Sequence, residues 1–334
     1  MKKIFLITND KISGKKNRFT SNNDLSNIIS CLKNHYSPQL ICRKSSKKLI
    51  YPIREEFKFC KIKEIEENDM NIFMVSITPY NFLSLLKLML LRKKIKGFVY
   101  LRSDGFLEYK IKYGLIGYFF YFLMFHIIKK KLKLLSVSKK FTNVKVKNIL
   151  HPSEITKKWQ KKKRLNNNLK TDFLYIGRFK KEKGSFFMSE IFKKSLRNYS
   201  LTIVGTKKKF VSKKYYNKNI RFISPVYDEK KLIKLYDSTR VFILPSYTEG
   251  FPKVISESLA RLKPIIIFDE IYHVINNRKG IFVCKRDEKN IIKKFEFIKK
   301  DYKKIQNSII KSFLYTKENF KKELLRSIKY EFRN

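Results

Sequence analysis

The chain has 334 residues, long enough for two domains of ordinary size, and its 43% hydrophobic and 15% aromatic content excludes a disordered basic tail. Its 77 Lys and Arg against 28 Asp and Glu leave a formal charge of +49, spread along the chain beside abundant Asn, Ile and Phe. That distribution reads as composition bias and as attraction to any anionic surface, not as a nucleic-acid arm. Cys31, Cys42, Cys60 and Cys284 form no C-x-x-C pair and share no ligand spacing with the four histidines, which argues against a zinc site or a disulfide framework and fits a reducing cytoplasm.

In chain order, residues 4–8 form a five-residue apolar run that ends at Asn9-Asp10, too short for a signal peptide and suited to a first β-strand. Similar runs follow at 39–43, 71–78, 97–102, 134–138 and 147–150, with helix-length segments between them. The most apolar stretch, residues 115–128, falls short of the ~20 residues a spanning helix needs. It reads as a buried helix of the first domain, or else as a membrane-facing helix whose basic flank at 129–133 meets anionic headgroups; residues 82–91 pose the same choice. A polar segment at 154–170 predicts an interdomain linker. The pattern then restarts, with runs at 172–177, 200–205, 219–224, 241–245, 264–269 and 280–284. Continuous apolar runs are the mark of buried parallel strands, and the alternation predicts an α/β protein of two doubly wound, Rossmann-like domains facing a cleft. The domains are expected at 1–153 and 171–310, with a C-terminal helix at 311–334 returning to the first. Ligands of such sheets bind beyond the carboxyl ends of the strands.

Two strand-to-helix turns of the second series carry chemistry. In the first, Gly177 and Arg178 leave a strand, and Lys183 and Gly184 precede a helix beginning near Ser185. Two cations five residues apart can converge on a diphosphate, Arg178 by a planar fork and Lys183 as a mobile point charge, with Gly184 and the helix N-terminus adding N–H donors. In the second, Glu249, Gly250, Phe251 and Pro252 lead into a helix that carries Glu257. One carboxylate can accept from sugar hydroxyls and the other from a ribose at the far end of a nucleotide diphosphate. Taken singly, Glu249 is as easily a helix-capping acid and Glu257 a solvated helix face; together on matched turns they point to a nucleotide-sugar site.

The segments GRFKKEKG, LTIVGT and SYTEGFPKVISESLARLKPII together resemble glycosyltransferase family 4, with its G-R-x4-K-G and E-x7-E motifs, over residues 171–284. The resemblance implies the GT-B arrangement and retention of anomeric configuration. It implies that Arg178 and Lys183 bind the donor diphosphate, Glu249 the sugar and Glu257 the ribose. Gly177, Gly184 and Gly205, with Gly250, Phe251, Pro252, Lys253 and Val254, would line the donor, which is UDP- or GDP-linked. In the N-terminal loop Gly14 stands where the family often has a glycine pair near the phosphates. Ser224-Pro225-Val226 departs from the usual Gly-x-Val. Asp104, in Arg102-Ser103-Asp104-Gly105, occupies a place where related enzymes put a polar residue near the reacting sugar, although an Asp-Gly turn with a capping carboxylate is the plainer reading. With no Asp-x-Asp at a strand end, catalysis is expected to need neither metal nor cofactor.

The resulting expectation is a cytoplasmic glycosyltransferase of surface polysaccharide or lipopolysaccharide synthesis, acting on a glycan or lipid-linked glycan. An anionic membrane surface, at the inner face of the cell membrane, stays open as a partner, and no specific nucleic acid is expected. The competing readings are a basic nucleic-acid-binding protein and an inactive scaffold of the same fold in a membrane assembly.

Overall fold

The structure is a computed structural model that describes residues 1–332 apart from 16–17, 22, 47–48, 50, 54–55, 142–145 and 161–168. It divides into two compact units, residues 1–152 with 318–334, and residues 153–317.

The first unit contains strands β1 (Lys3–Lys15), β2 (Arg18–Ser21), β3 (Ser37–Lys44), β4 (Tyr51–Ile53), β5 (Lys58–Phe59), β6 (Asp69–Val75), β7 (Lys94–Leu101), β8 (Lys133–Ser136) and β9 (Asn148–Ile149). Its helices are α1 (Asn23–Lys33), α2 (Pro79–Leu90) and α3 (Gly105–Lys129). Parallel pairing runs in the order β5-β3-β1-β6-β7-β8-β9. The central strands are buried on both faces, Ile72, Phe73 and Met74 among them, as a sheet covered by helices requires. Beyond an irregularity between Ile7 and Lys11, β1 continues and pairs antiparallel with β2, which pairs with β4.

Helix α3 is not one rod. Gly114 has φ 66° and ψ −152°, a combination open essentially to glycine alone, and the chain reverses there. The ring centroids of Phe106 and Tyr121 lie 4.8 Å apart, whereas fifteen residues of straight helix would separate them by ~22 Å. Residues 105–113 and 115–129 are therefore two arms of a helical hairpin. Gly105 and Gly117 let the arms close: a Cβ at Gly105 would lie 2.0 Å from the Tyr121 ring, and one at Gly117 2.5 Å from Tyr109 O. On the second arm Gly117, Tyr121, Met124, Phe125 and Ile128 are buried, which is half of what a buried helix requires; the opposite face is equally apolar and exposed.

The second unit holds β10 (Thr171–Ile176), β11 (Leu201–Val204), β12 (Ile220–Ile223), β13 (Thr239–Leu244), β14 (Ile265–Phe268) and β15 (Ile281–Cys284), with helices α4 (Lys157–Gln160), α5 (Ser185–Lys194), α6 (Glu229–Asp237), α7 (Lys253–Ala260), α8 (Glu288–Lys300) and α9 (Tyr302–Ile310). All six strands are parallel, in the order β12-β11-β10-β13-β14-β15. Its core is formed by the strand interiors with Met188, Phe192, Tyr236, Ile255, Ile291 and Phe295. The segment expected as a linker is in part structural: Ile155 and Trp159 are buried in this core, and Arg261, paired through two nitrogens with Asp237, donates to Trp159 O at 2.8 Å. Residues 161–168 of that segment lie outside the described residues. Helix α10 (Lys317–Phe332) lies in the first unit from Glu318 onward, where Asn148 Nδ2 donates to Ser327 Oγ at 2.8 Å and Phe332 packs edge-on to Phe98.

Candidate donor site

Strand β10 runs into Gly177 and Arg178, and the turn is held from below by the buried Tyr175, whose hydroxyl donates to Arg178 O at 3.0 Å. Burial raises the Tyr175 hydroxyl well above its ordinary pKa, so it stays a neutral donor. The Arg178 side chain is exposed and its guanidinium has no hydrogen-bond or ion-pair partner among the described residues. Lys181–Lys183 forms a single 3-10 turn, and Gly184, at φ 65°, redirects the chain into α5. Only glycine serves there, because a Cβ would stand 1.8 Å from Pro245 O in the loop after β13. The loops after β10 and β13 are thereby pressed together, and Tyr247 N donates to Glu182 O across them at 3.1 Å. Gly205, at the end of β11, plays the matching part on the other side: its Cβ would meet Gly177 O at 2.1 Å.

Between the two loops Lys183 Nζ lies 2.6 Å from Glu249 Oε1, with the side chains 22% and 13% exposed. Ser246 Oγ donates to the same oxygen at 2.7 Å, and His273 Nε2–H donates to Glu249 O at 2.9 Å. The two turns that sequence reading singled out separately are thus joined by one ion pair.

A residue that sequence reading missed organises this loop. Arg286, just beyond β15, donates to Pro245 O at 2.8 Å and Ser246 O at 3.4 Å and pairs with Glu270 at 2.8 Å. Its guanidinium lies 4.1 Å from the Tyr247 ring centroid and 4.3 Å from that of Phe268. A planar cation that stacks and donates at once suits arginine and not lysine. No local pattern marks Arg286, one of many cations in a basic chain.

Helix α7 begins at Lys253, so Pro252 is its N-cap, one residue earlier than the first helical position that sequence reading gave it. Gly250 is buried, Phe251 and Val254 are half-buried, and Arg278 lies over the Phe251 ring at 4.8 Å. Burial lowers the pKa of Arg278 to about 10. Lys253 is paired with Glu154. Glu257 is more than a solvated face of the helix. It is half-buried, and Oε2 accepts from the Tyr236 hydroxyl of α6 at 2.8 Å, while Oε1 has no protein partner among the described residues. Burial raises its pKa, against the opposing pull of Tyr236 and Lys253. One carboxylate oxygen is oriented by the protein and the other is open to a ligand.

In the first unit the structure places two of the expected residues in regular structure. Gly14 lies in a strand and not in a loop: β1 continues through Lys15, and Gly14 pairs with Phe19 in the β1–β2 ladder. The loop reading failed because the partner strand, only four residues long, gives no periodic signal. Asp104 is the N-cap of α3, its Oδ1 accepting from Leu107 N at 3.0 Å, which is the capping reading of the Asp-Gly turn. Arg102 is tied to Asp10 and Asp24, each at 3.3 Å, and to Ser76 Oγ at 3.0 Å. Beside these residues, at the carboxyl ends of β6 and β7, lies a cavity of about 690 Å³ lined by Ser76, Arg102, Glu108, Lys112, Ile116 and Phe120, among others.

Residues 156–312 match the family model described as glycosyl transferases group 1. Solved structures resemble the whole chain. Sucrose-phosphate synthase from Thermosynechococcus elongatus aligns at TM-score 0.68 and 13% identity, covering 98% of each chain. The Anabaena protein HepE in complex with UDP and glucose aligns at TM-score 0.67 and 10% identity, covering 98% of this chain and 99% of its own. A glycosyltransferase from Rickettsia africae aligns at TM-score 0.62 and 13% identity, covering 100% and 99%. At such identities the likeness is one of fold, the α/β fold of two Rossmann-like domains called GT-B. No curated protein sequence matches the chain. The match to glycosyl transferases group 1 lies within the second unit, and together with the GT-B fold it supports a glycosyltransferase.

Proposed function

We propose that the protein transfers a sugar, with retention of configuration, from a UDP- or GDP-linked donor to a glycan or lipid-linked glycan. The setting is cytoplasmic synthesis of a cell-surface polysaccharide or lipopolysaccharide. The observation that carries the donor side is the Lys183–Glu249 pair, which joins the two strand-to-helix turns while Arg178 and one oxygen of Glu257 are left open.

In this reading Arg178 and Lys183 hold the diphosphate, and the N-termini of α5 and α7 add the positive ends of their dipoles. Glu249 accepts from hydroxyls of the sugar, and Glu257 accepts from the ribose with its open oxygen. The bond from the anomeric carbon to the leaving phosphate oxygen breaks as the acceptor hydroxyl attacks from the same face. The acceptor's proton passes to a phosphate oxygen, and the nucleoside diphosphate departs. No protein nucleophile is needed; the two cations stabilise the charge that builds on the leaving group. Among the described residues no group of three His, Cys, Asp or Glu is placed to hold a metal ion, and the reading assigns the work of charge stabilisation to Arg178 and Lys183.

The test is nucleoside diphosphate release from a panel of UDP- and GDP-sugars with glycan acceptors, with the anomeric configuration of the product read by NMR. Release from one donor, retained configuration and loss of activity in Arg178→Ala support the reading. An inverted product, or release unaffected by that substitution, contradicts it.

A further inference from the structure

The second arm of α3 breaks the ordinary rule for a surface helix, which turns a polar face to water. Its outward face is made of Leu115, Ile116, Phe119, Phe120, Phe122 and Leu123, between 39% and 83% exposed. The tip of the hairpin continues that face with Tyr113 at 65%, and the adjoining helix α2 with its C-cap leaves Leu83, Leu90 and Leu91 exposed at 50% or more. Scattered exposed hydrophobics are ordinary, but a contiguous apolar helix face marks a docking surface.

The surrounding charge says what docks. Between residues 79 and 133 there are twelve Lys and Arg and two acids. The acids are both engaged, Asp104 as the cap of α3 and Glu108 with Lys112 and Ser103. Lys87, Arg92, Lys94, Lys96, Lys130 and Lys131 are exposed. An apolar face with a cationic surround complements an anionic lipid surface. By length and composition α3 is apolar enough to cross a bilayer, but the reversal at Gly114 leaves a second arm of fifteen residues, ~22 Å long, which is short of the hydrocarbon thickness. The arm can lie in the interface and cannot span it.

We propose that the α3 hairpin docks this protein on an anionic lipid bilayer, its apolar face sunk at the headgroup boundary. The first-unit cavity shares a wall with that face, because Tyr113, Ile116 and Phe120 line the cavity and are exposed on the hairpin, whereas Arg102, Glu108 and Lys112 form its polar side. An amphiphile drawn from the bilayer would meet apolar and charged walls in that order. Identifying this amphiphile as a lipid-linked acceptor rests on the proposed function; the docking itself does not.

The test is co-sedimentation with vesicles of phosphatidylcholine alone and with about one-third phosphatidylglycerol. Leu115→Glu, Phe119→Glu and Leu123→Glu combined place charge along one helix face without touching the cavity lining. The wild type is expected to bind the anionic vesicles and the triple variant to lose roughly tenfold or more of that binding. Circular dichroism and nucleotide binding, unchanged in the variant, show that the fold and donor site survive. A Phe119→Trp variant adds a direct readout, since brominated lipid should quench its emission while the buried Trp159 is spared. Equal partitioning of wild type and triple variant, or no quenching at position 119, overturns the proposal. So does a wild type that stays in the supernatant as a dimer which the triple variant breaks, since a second copy would then cover the face. Nucleotide binding lost in the wild type itself would sink the donor reading and leave the docking result standing.

Discussion

The carboxyl edge of the second sheet carries polar groups tied to one another, whereas the carboxyl edge of the first carries a folded helix with a bare apolar face. Both are products of the same β/α alternation. In the second unit the loops after β10 and β13 are clamped by Gly184, by the Lys183–Glu249 pair and by Arg286, so charge is held where a diphosphate can use it. In the first unit the ionic cluster at Arg102 is satisfied internally by Asp10 and Asp24, and what remains outward on α3 is hydrocarbon. The difference assigns the electrostatic work to one unit and an apolar contact to the other.

The largest expected effect lies on the electrostatic side. Lys183→Ala should lower kcat/KM by about a hundredfold to a thousandfold, the usual cost of losing one donor to a developing anion. Lys110→Ala, an exposed cation on the hairpin, should leave donor turnover within about threefold. Steady-state kinetics on both variants would break the comparison if the two fell together. Next in size is the clamp. Arg286→Ala leaves Glu270 unpaired and two carbonyls without their donor, and should cost about 2–3 kcal/mol in urea unfolding together with weaker nucleotide binding. Arg286→Lys should recover only part, since lysine neither stacks nor forks. On the apolar side, Gly114→Ala forces a side chain into a glycine-only conformation and should destabilise the protein by about 1–3 kcal/mol, seen as a lower urea midpoint, with donor affinity unchanged.

The smallest effect is a pH signature at Glu257. Burial raises its folded pKa, so the folded protein holds this proton more tightly than the unfolded chain. The wild type therefore loses stability as pH rises from the unfolded value through the raised folded one, and no further above it. Glu257→Gln removes that loss, so the Tm difference, variant minus wild type, should be more positive at neutral pH than at acid pH, even as nucleotide binding weakens. Parallel melting profiles across that range would contradict the burial account.

The twelve apolar runs all appear as strands because buried parallel strands need no partner pattern beyond their own hydrophobicity. What was illegible depended on distant partners. β2 and β4 are four- and three-residue strands, and they form only because β1 continues past its irregularity to pair with β2, which in turn pairs with β4. The same extension carried Gly14 out of a loop. The two donor motifs were legible because each is contiguous, but their union was not: Lys183 and Glu249 are sixty-six residues apart, and Tyr236 meets Glu257 from another helix. Arg286 had no signal at all. In α3 the apolar run beginning just after Gly114 was visible, whereas the reversal was not, because a lone glycine inside a helical pattern is usually tolerated without a turn.

The most direct test of the account is calorimetric titration of UDP and GDP into the wild type, Lys183→Ala and Glu257→Ala at moderate salt. The account predicts saturable binding of one nucleotide to the wild type and a clear loss of affinity in both variants, since one removes a phosphate contact and the other a ribose contact. Binding that neither substitution weakens, or no nucleotide binding beside steeply salt-dependent binding of a random oligonucleotide, would contradict it.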